Sequence, residues 1–218
     1  MSKSEELAKL AAEMAADTSL PLTGSANLVF GEGSADCVVM FIGEAPGYNE
    51  DVEKRPFVGR GGQLLRECIR ALGWKEGDVY ISNIVKRRPP ENRDPLPEEI
   101  AAYKPYLTRQ IAIIAPRVIV PLGRFSMNYF LPEAKITRDQ GRVFRVDGRM
   151  IIPMLHPAAA LRAPEMMRAF RETFEKLPGL ISGVPVRETI SPSVPPAKPA
   201  EPPAVSSVEP KLKQTKLF

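Results

Sequence analysis

The stretch CVVMFIGEAPG, Cys37 to Gly47, joins an unbroken apolar run to a turn containing two glycines and a proline. A run without polar alternation reads as a strand buried on both faces. A strand of that kind needs helices above and below it, which points to a layered α/β protein. The remaining segments agree. DVYISNIV (78–85) and RVIVPLG (117–123) are two more apolar strands, and GRVFRVDGRMIIPML (141–155) alternates around Asp147-Gly148, a dipeptide favoured in tight hairpins.

Helical periodicity fills the gaps between these strands. SKSEELAKLAAEMAAD (2–17) puts Leu7, Leu10, Ala11 and Met14 on one face, with Ser2 and Glu5 spaced as a capping box. GGQLLRECIRALG (61–73) aligns Leu64, Leu65, Cys68, Ile69 and Leu72 and stops at Gly73. PEEIAAYKPYLTRQIAIIAP (97–116) is helical, with Pro105 expected to kink or divide it. RFSMNYFL (124–131) is a short helix, and AAALRAPEMMRAFRETFEKL (158–177) the last one. The expectation is a three-layer α/β/α sandwich around a central, mainly parallel four-stranded sheet.

Composition sets the limits. With 218 residues, 44% of them hydrophobic, the chain buries one sizeable core, expected over residues 1–178. Residues 179–218 hold eight prolines and no aromatic before Phe218, so they read as a disordered tail. No apolar stretch reaches membrane-spanning length, and the acidic, amphipathic start does not read as a secretory signal. We therefore expect a cytoplasmic, nucleoid-associated monomer. Cys37 and Cys68 read as buried, reduced thiols. The net charge of +4 permits an anionic partner without requiring one, so any nucleic-acid surface must be a local cluster such as KRRPPENR (86–93).

In parallel sheets ligands bind beyond the carboxyl ends of the strands. That rule selects GEAPG, NIVKRRPP, PLGR and the HP of His156-Pro157 as linings of one crevice. GEAPG matches neither a P-loop nor a dinucleotide fingerprint, because the lysine and the glycine spacing are absent. His156, the only histidine, ends an apolar strand, and its role is either structural or catalytic. Asn83, an amide inside an apolar strand, either ties down backbone or reads a ligand. Phe57 is either a satellite core residue or a stacking platform. Lys86, Arg87, Arg88 and Arg93 form a solvated loop or grip phosphates.

Taken together, GEAPG…EDVEKRPFVGRGGQLL, VYISNIVKRRPP, PRVIVPLG and MLHPAAAL closely resemble the uracil-DNA glycosylase superfamily, most of all its thermostable family-four branch. The likeness runs from about Leu28 to Pro178. It implies an enzyme that extrudes uracil from DNA and hydrolyses its glycosidic bond, leaving an abasic site. By this resemblance Phe57 stacks on the base, and Asn83 reads its O4/N3 edge. His156 stabilises O2 together with backbone N–H groups of the Gly43–Glu44 turn, and Glu44 handles the attacking water. Lys86, Arg87, Arg88 and Arg162 contact DNA, and Leu161 wedges into the duplex.

The family-four pattern also implies a four-iron cluster on four cysteines. Those positions fall here on Ala16, Ser19, Arg87 and about Tyr103, so no cluster and no other cofactor or metal is expected. Packing around Tyr103 and the N-terminal helix is expected to take over its stapling role. At the other end, QTKLF resembles peptides that dock on DNA sliding clamps, through Gln214, Leu217 and Phe218. Two other readings remain at this point. One is a clamp-tethered module that binds uracil or abasic DNA without turnover, and the other is a glycosylase for a different deaminated base such as hypoxanthine or xanthine.

Overall fold

The computed structural model describes residues 1–183, and the clamp-peptide residues Gln214, Leu217 and Phe218 lie outside them. Helix α1 (Lys3–Ala16) opens with the expected capping box: Glu5 N–H donates to Ser2 Oγ, and Ser2 N–H donates to the Glu5 carboxylate. Then follow β1 (Glu32–Gly33), β2 (Val39–Gly43), α2 (Tyr48–Glu53), α3 (Arg60–Ala71) and β3 (Tyr80–Asn83). Next come α4 (Pro97–Ile114), β4 (Val118–Pro121), α5 (Arg124–Phe130) and α6 (Ile136–Asp139). The hairpin β5 (Phe144–Val146) and β6 (Arg149–Ile151) precedes α7 (Pro157–Ala160) and α8 (Pro164–Gly183).

The sheet has six strands, in the order β1-β3-β2-β4-β6-β5. Its four inner strands are parallel, as expected, and the additional edge strands β1 and β5 run antiparallel. A two-residue strand such as β1 is too short to leave a periodic signal. The hairpin turns at Asp147 and Gly148, both at positive φ (48° and 76°), which is the two-residue turn their sequence favours.

Burial on both faces explains the missing alternation in β2. Val39 and Phe41 face one core with Leu65, Ile69, Phe170 and Phe174, whereas Met40 and Ile42 face another with Leu7, Met14, Tyr103 and Leu107. Helices α3, α7 and α8 cover the first side, and α1 and α4 the second. Both cysteines are buried. No helix among the described residues is long and apolar enough to cross a membrane.

Three helix boundaries differ from expectation. Pro105 does not divide α4, which runs unbroken from Pro97 to Ile114. Pro105 is exposed, so the carbonyl left without its helical donor faces water, while Tyr103, Leu107 and Ile111 anchor the opposite side. The segment after His156 is two helices, because Pro164 starts α8 afresh and leaves Leu161–Ala163 as an exposed corner. Finally, α8 continues past Pro178 to Gly183, since Leu180 and Ile181 extend the apolar face of the buried Leu177.

Candidate active site at the carboxyl edge of the sheet

The four loops selected from the sequence line one cavity of about 800 Å³ at the carboxyl ends of β2, β3, β4 and β6. Glu44, Phe57, Asn83 and His156 all contribute to its wall. Two close approaches set the geometry. A Cβ on Gly43 would lie 2.4 Å from Asn83 Oδ1 and 2.5 Å from the Phe57 ring. A Cβ on Gly123 would lie 2.5 Å from Glu44 Oε1 and 3.1 Å from His156 Cβ. Gly123 also sits at φ 92°, where a side chain is strained, so a glycine there serves both the turn and the close packing of Glu44 and of His156 against it.

Asn83 is 2% exposed, and its Oδ1 finds no hydrogen-bond partner among the described residues. A buried carbonyl oxygen without a donor is costly, and the usual resolution is a ligand or water that donates to it. The alternative in which Asn83 only ties down backbone therefore lacks the bonds it requires. The buried Phe57 ring lies 5.8 Å from the His156 ring and 31° from coplanar with it, so the two walls lean together.

His156 caps α7: its Nδ1 accepts the Ala158 N–H at 3.2 Å. An accepting Nδ1 places the ring proton on Nε2, the atom left for a ligand. Burial pushes the imidazole pKa down to about 4, with the charge of Glu50 opposing and that of Arg162 assisting. The ring is thus a neutral donor at physiological pH. Glu44 moves the other way. Burial first, and the charge of Asp94 second, lift its carboxyl to about 7, against Arg124 and the Phe125 N–H. A carboxyl and a neutral imidazole lining one cavity, together with an unpartnered amide in its wall, suit a flat polar ring whose bond to a neighbour is to be cut.

The expected phosphate cluster is corrected in two places. Lys86 is fully buried, and its ammonium donates to Ser82 Oγ, Gln110 Oε1 (2.6 Å) and Phe30 O (3.3 Å). Burial lowers its pKa to about 7. Arg87 is 6% exposed and donates to Ala26 O at 2.9 Å. Neither side chain lies on the surface, because the chain after β3 stays inside and becomes partly exposed only from Arg88. Arg88 is half-buried, bonds Asn92 and lies over the Tyr48 ring at 5.1 Å. Arg93 pairs with the buried Glu99 at 2.6 Å.

Leu161 is 38% exposed at the α7–α8 corner, and the exposed Arg162 next to it lines the cavity. Two further arginines line the cavity: Arg124, which ends the selected PLGR loop but carries no assigned role in the sequence reading, and Arg60, which that reading does not single out. Each is the first residue of a helix that follows a crevice loop, and that position was the available signal.

The four positions to which the resemblance assigns cluster ligands do not fit a cluster. Ala16 and Ser19 are exposed, Arg87 is a buried cation, and Tyr103 donates its hydroxyl to Pro21 O at 2.7 Å. None supplies a thiolate, and Cys37 and Cys68 lie in the two cores instead. Among the described residues no group of His, Cys, Asp or Glu could hold a metal ion.

A layered parallel sheet whose carboxyl edge carries a cavity lined by an unpartnered amide, a carboxyl and a neutral imidazole marks the class of α/β proteins built to take a flat heterocycle. The family model described as the uracil DNA glycosylase superfamily matches residues 30–178. The type-4 uracil-DNA glycosylase of Saccharolobus solfataricus is 42% identical over 172 residues, covering 73% of this chain and 79% of that protein. That of Sulfurisphaera tokodaii is 47% identical over 161 residues (69% and 73%), and that of Thermotoga maritima 42% over 184 residues (81% and 96%). The chain belongs to the uracil DNA glycosylase superfamily.

Proposed function

We infer that this protein hydrolyses the N-glycosidic bond of uracil in DNA, as a monofunctional enzyme of base excision repair. The observation that carries the reading is the unpartnered Asn83 Oδ1 in a cavity walled by Phe57 and His156. Uracil inside a duplex is out of reach, so it must be extruded into the cavity, and Phe57 then stacks on it. The N3–H of uracil satisfies Asn83 Oδ1, and the Asn83 amide N–H donates to O4. Cytosine presents an amino group and a bare N3 at that edge, leaving buried groups unpaired.

Cleavage breaks the C1′–N1 bond, and the electron pair leaves with uracil. The neutral His156 donates from Nε2 to O2, where the negative charge gathers, without first giving up a proton. Glu44 takes a proton from the water whose oxygen bonds to C1′, and its charge favours the cationic sugar in the transition state. A carboxyl near 7 is matched to a base that works at neutral pH. Leu161 fills the gap left in the stack, while Arg88, Arg162, Arg60 and Arg124 meet phosphates. No step requires a metal or organic cofactor, and the protein is expected to be free of iron and monomeric in the cytoplasm. The terminal QTKLF is read as a tether to a DNA sliding clamp.

The test is a cleavage assay in EDTA on oligonucleotides bearing uracil, hypoxanthine or xanthine, followed by alkaline scission of abasic sites. Uracil is expected to be released from single- and double-stranded DNA, with Glu44→Ala and His156→Ala badly impaired. Binding without turnover would favour the non-catalytic module, and a preference for another lesion would reassign the substrate.

A further inference from the structure

Glu50, on α2, folds back onto the loop that carries it. Its Oε1 accepts the backbone N–H groups of Val58 (2.9 Å) and Gly59 (2.8 Å), and its Oε2 accepts that of Gly47 (3.2 Å). Gly47 closes the turn that bears Glu44, and Val58 follows Phe57 directly. One carboxylate therefore ties the turn of the proposed base to the segment of the proposed stacking ring.

Phe57 needs such a tie. Its φ is 54°, in the left-handed region that a β-carbon resists, and such a conformation persists only where its surroundings over-determine it. On the far side, the buried Arg66 of α3 donates Nε to Phe57 O (2.9 Å) and Nη2 to Pro56 O (2.7 Å). Arg66 is itself held by Glu32 and Glu76, each at 2.6 Å. The carbonyl of Phe57 and the N–H of Val58 belong to the same peptide group. A cation grips that peptide at its oxygen and an anion at its nitrogen, so charge-assisted bonds fix the plane from both ends. The orientation of this plane sets where the Phe57 ring points.

We propose that Glu50 and Arg66 are positioning residues that clamp the Phe57–Val58 peptide and thereby hold the ring in the plane on which the base stacks. The proposal rests on the uracil reading. It assigns neither residue a contact with substrate, so both act through Phe57.

Glu50→Gln tests it. The amide retains one acceptor oxygen but leaves at least one of the three N–H groups without its bond. The measurement is inhibition by free uracil together with kcat/KM on a single-stranded uracil oligonucleotide, for wild type, Glu50→Gln, Phe57→Ala and the double variant. Free uracil should bind about tenfold more weakly to Glu50→Gln, and the double variant should be no worse than Phe57→Ala, since a clamp has nothing to position once the ring is gone. Losses that multiply in the double variant, or unchanged uracil inhibition, would overturn the clamp while leaving the enzyme reading intact. A wild type that releases no uracil brings down both. Should Glu50→Gln fold poorly by thermal melting, Glu50→Asp, with its shorter arm, is put through the same cycle with the same two outcomes.

Discussion

Gly43 and Asn83 are register partners on the neighbouring strands β2 and β3, and Asn83 Oδ1 lies 2.4 Å from the place a Gly43 β-carbon would occupy. The amide can face the cavity only because its strand neighbour has no side chain. Gly43→Ala should therefore drive Asn83 and the Phe57 ring off their positions, and kcat/KM for uracil release should fall by about a hundredfold. A melting curve separates this from unfolding. An alanine variant with wild-type kinetics would show that the contact has no bearing on base reading.

Asn83→Asp changes the edge that the base meets while keeping its size. A carboxylate cannot donate to O4, and it accepts from the amino group of cytosine. Discrimination between uracil and cytosine should drop by about a hundredfold, measured as the ratio of kcat/KM values on matched oligonucleotides. An unchanged ratio would remove Asn83 from the specificity edge.

The pH dependence follows from the two opposed shifts in the cavity. As the base, Glu44 must be ionised, so kcat/KM should fall as pH drops below about 7, and His156, held near 4, should not set that limb. Glu44→Gln should abolish the limb together with most of the activity. The effects on stability run in opposite directions. The raised Glu44 contributes stability that is complete below its unfolded value of 4.5 and is lost as pH rises through about 7. The depressed His156 contributes stability that is present above 6.5 and is lost as pH falls through about 4. Thermal melts of Glu44→Gln and His156→Gln between pH 4 and 8 resolve the two.

The strands, the layers and four cavity residues were legible because each leaves a local mark: unbroken apolar runs, a lone histidine, an amide among apolar neighbours. Lys86 and Arg87 were misread for a physical reason. A basic run ending in two prolines looks like a surface loop, yet the chain stays inside until Arg88, and the acceptors that make burial tolerable are distant in sequence. Gln110 lies on α4, and Phe30 and Ala26 belong to the segment before β2. Glu50 was invisible as a clamp for the same reason. Its bonds go to backbone N–H groups, which carry no residue signature.

The region of the missing cluster ligands yields its own prediction. Tyr103 bonds Pro21 O at 2.7 Å and Tyr106 bonds Asp17 Oδ2 at 2.7 Å, so two phenols on α4 hold the segment that follows α1. Tyr103→Phe should cost about 1 kcal/mol, read from denaturant melts, by leaving a buried carbonyl unpaired. Purified protein should be colourless, and chelator should leave its melting temperature unchanged. Stoichiometric iron would show that ligands outside the expected four positions are in use.

Lys86 and Arg88 should separate cleanly when salt is varied. Arg88 is half-buried, stacked over Tyr48 of the cavity wall, whereas Lys86 is wholly enclosed by Ser82, Gln110 and Phe30. Arg88→Ala should weaken binding to an abasic-analogue oligonucleotide and reduce the slope of log affinity against log salt by about one. Lys86→Met should leave that slope as it is and act on stability instead. The folded pKa of Lys86, near 7, lies below its ordinary 10.5, so the folded state binds fewer protons in between and stability should rise with pH across that window. The methionine variant should lose this alkaline gain, seen as a flatter melting temperature from pH 7 to 10. A changed salt slope in Lys86→Met would return Lys86 to the DNA surface from which its burial removes it.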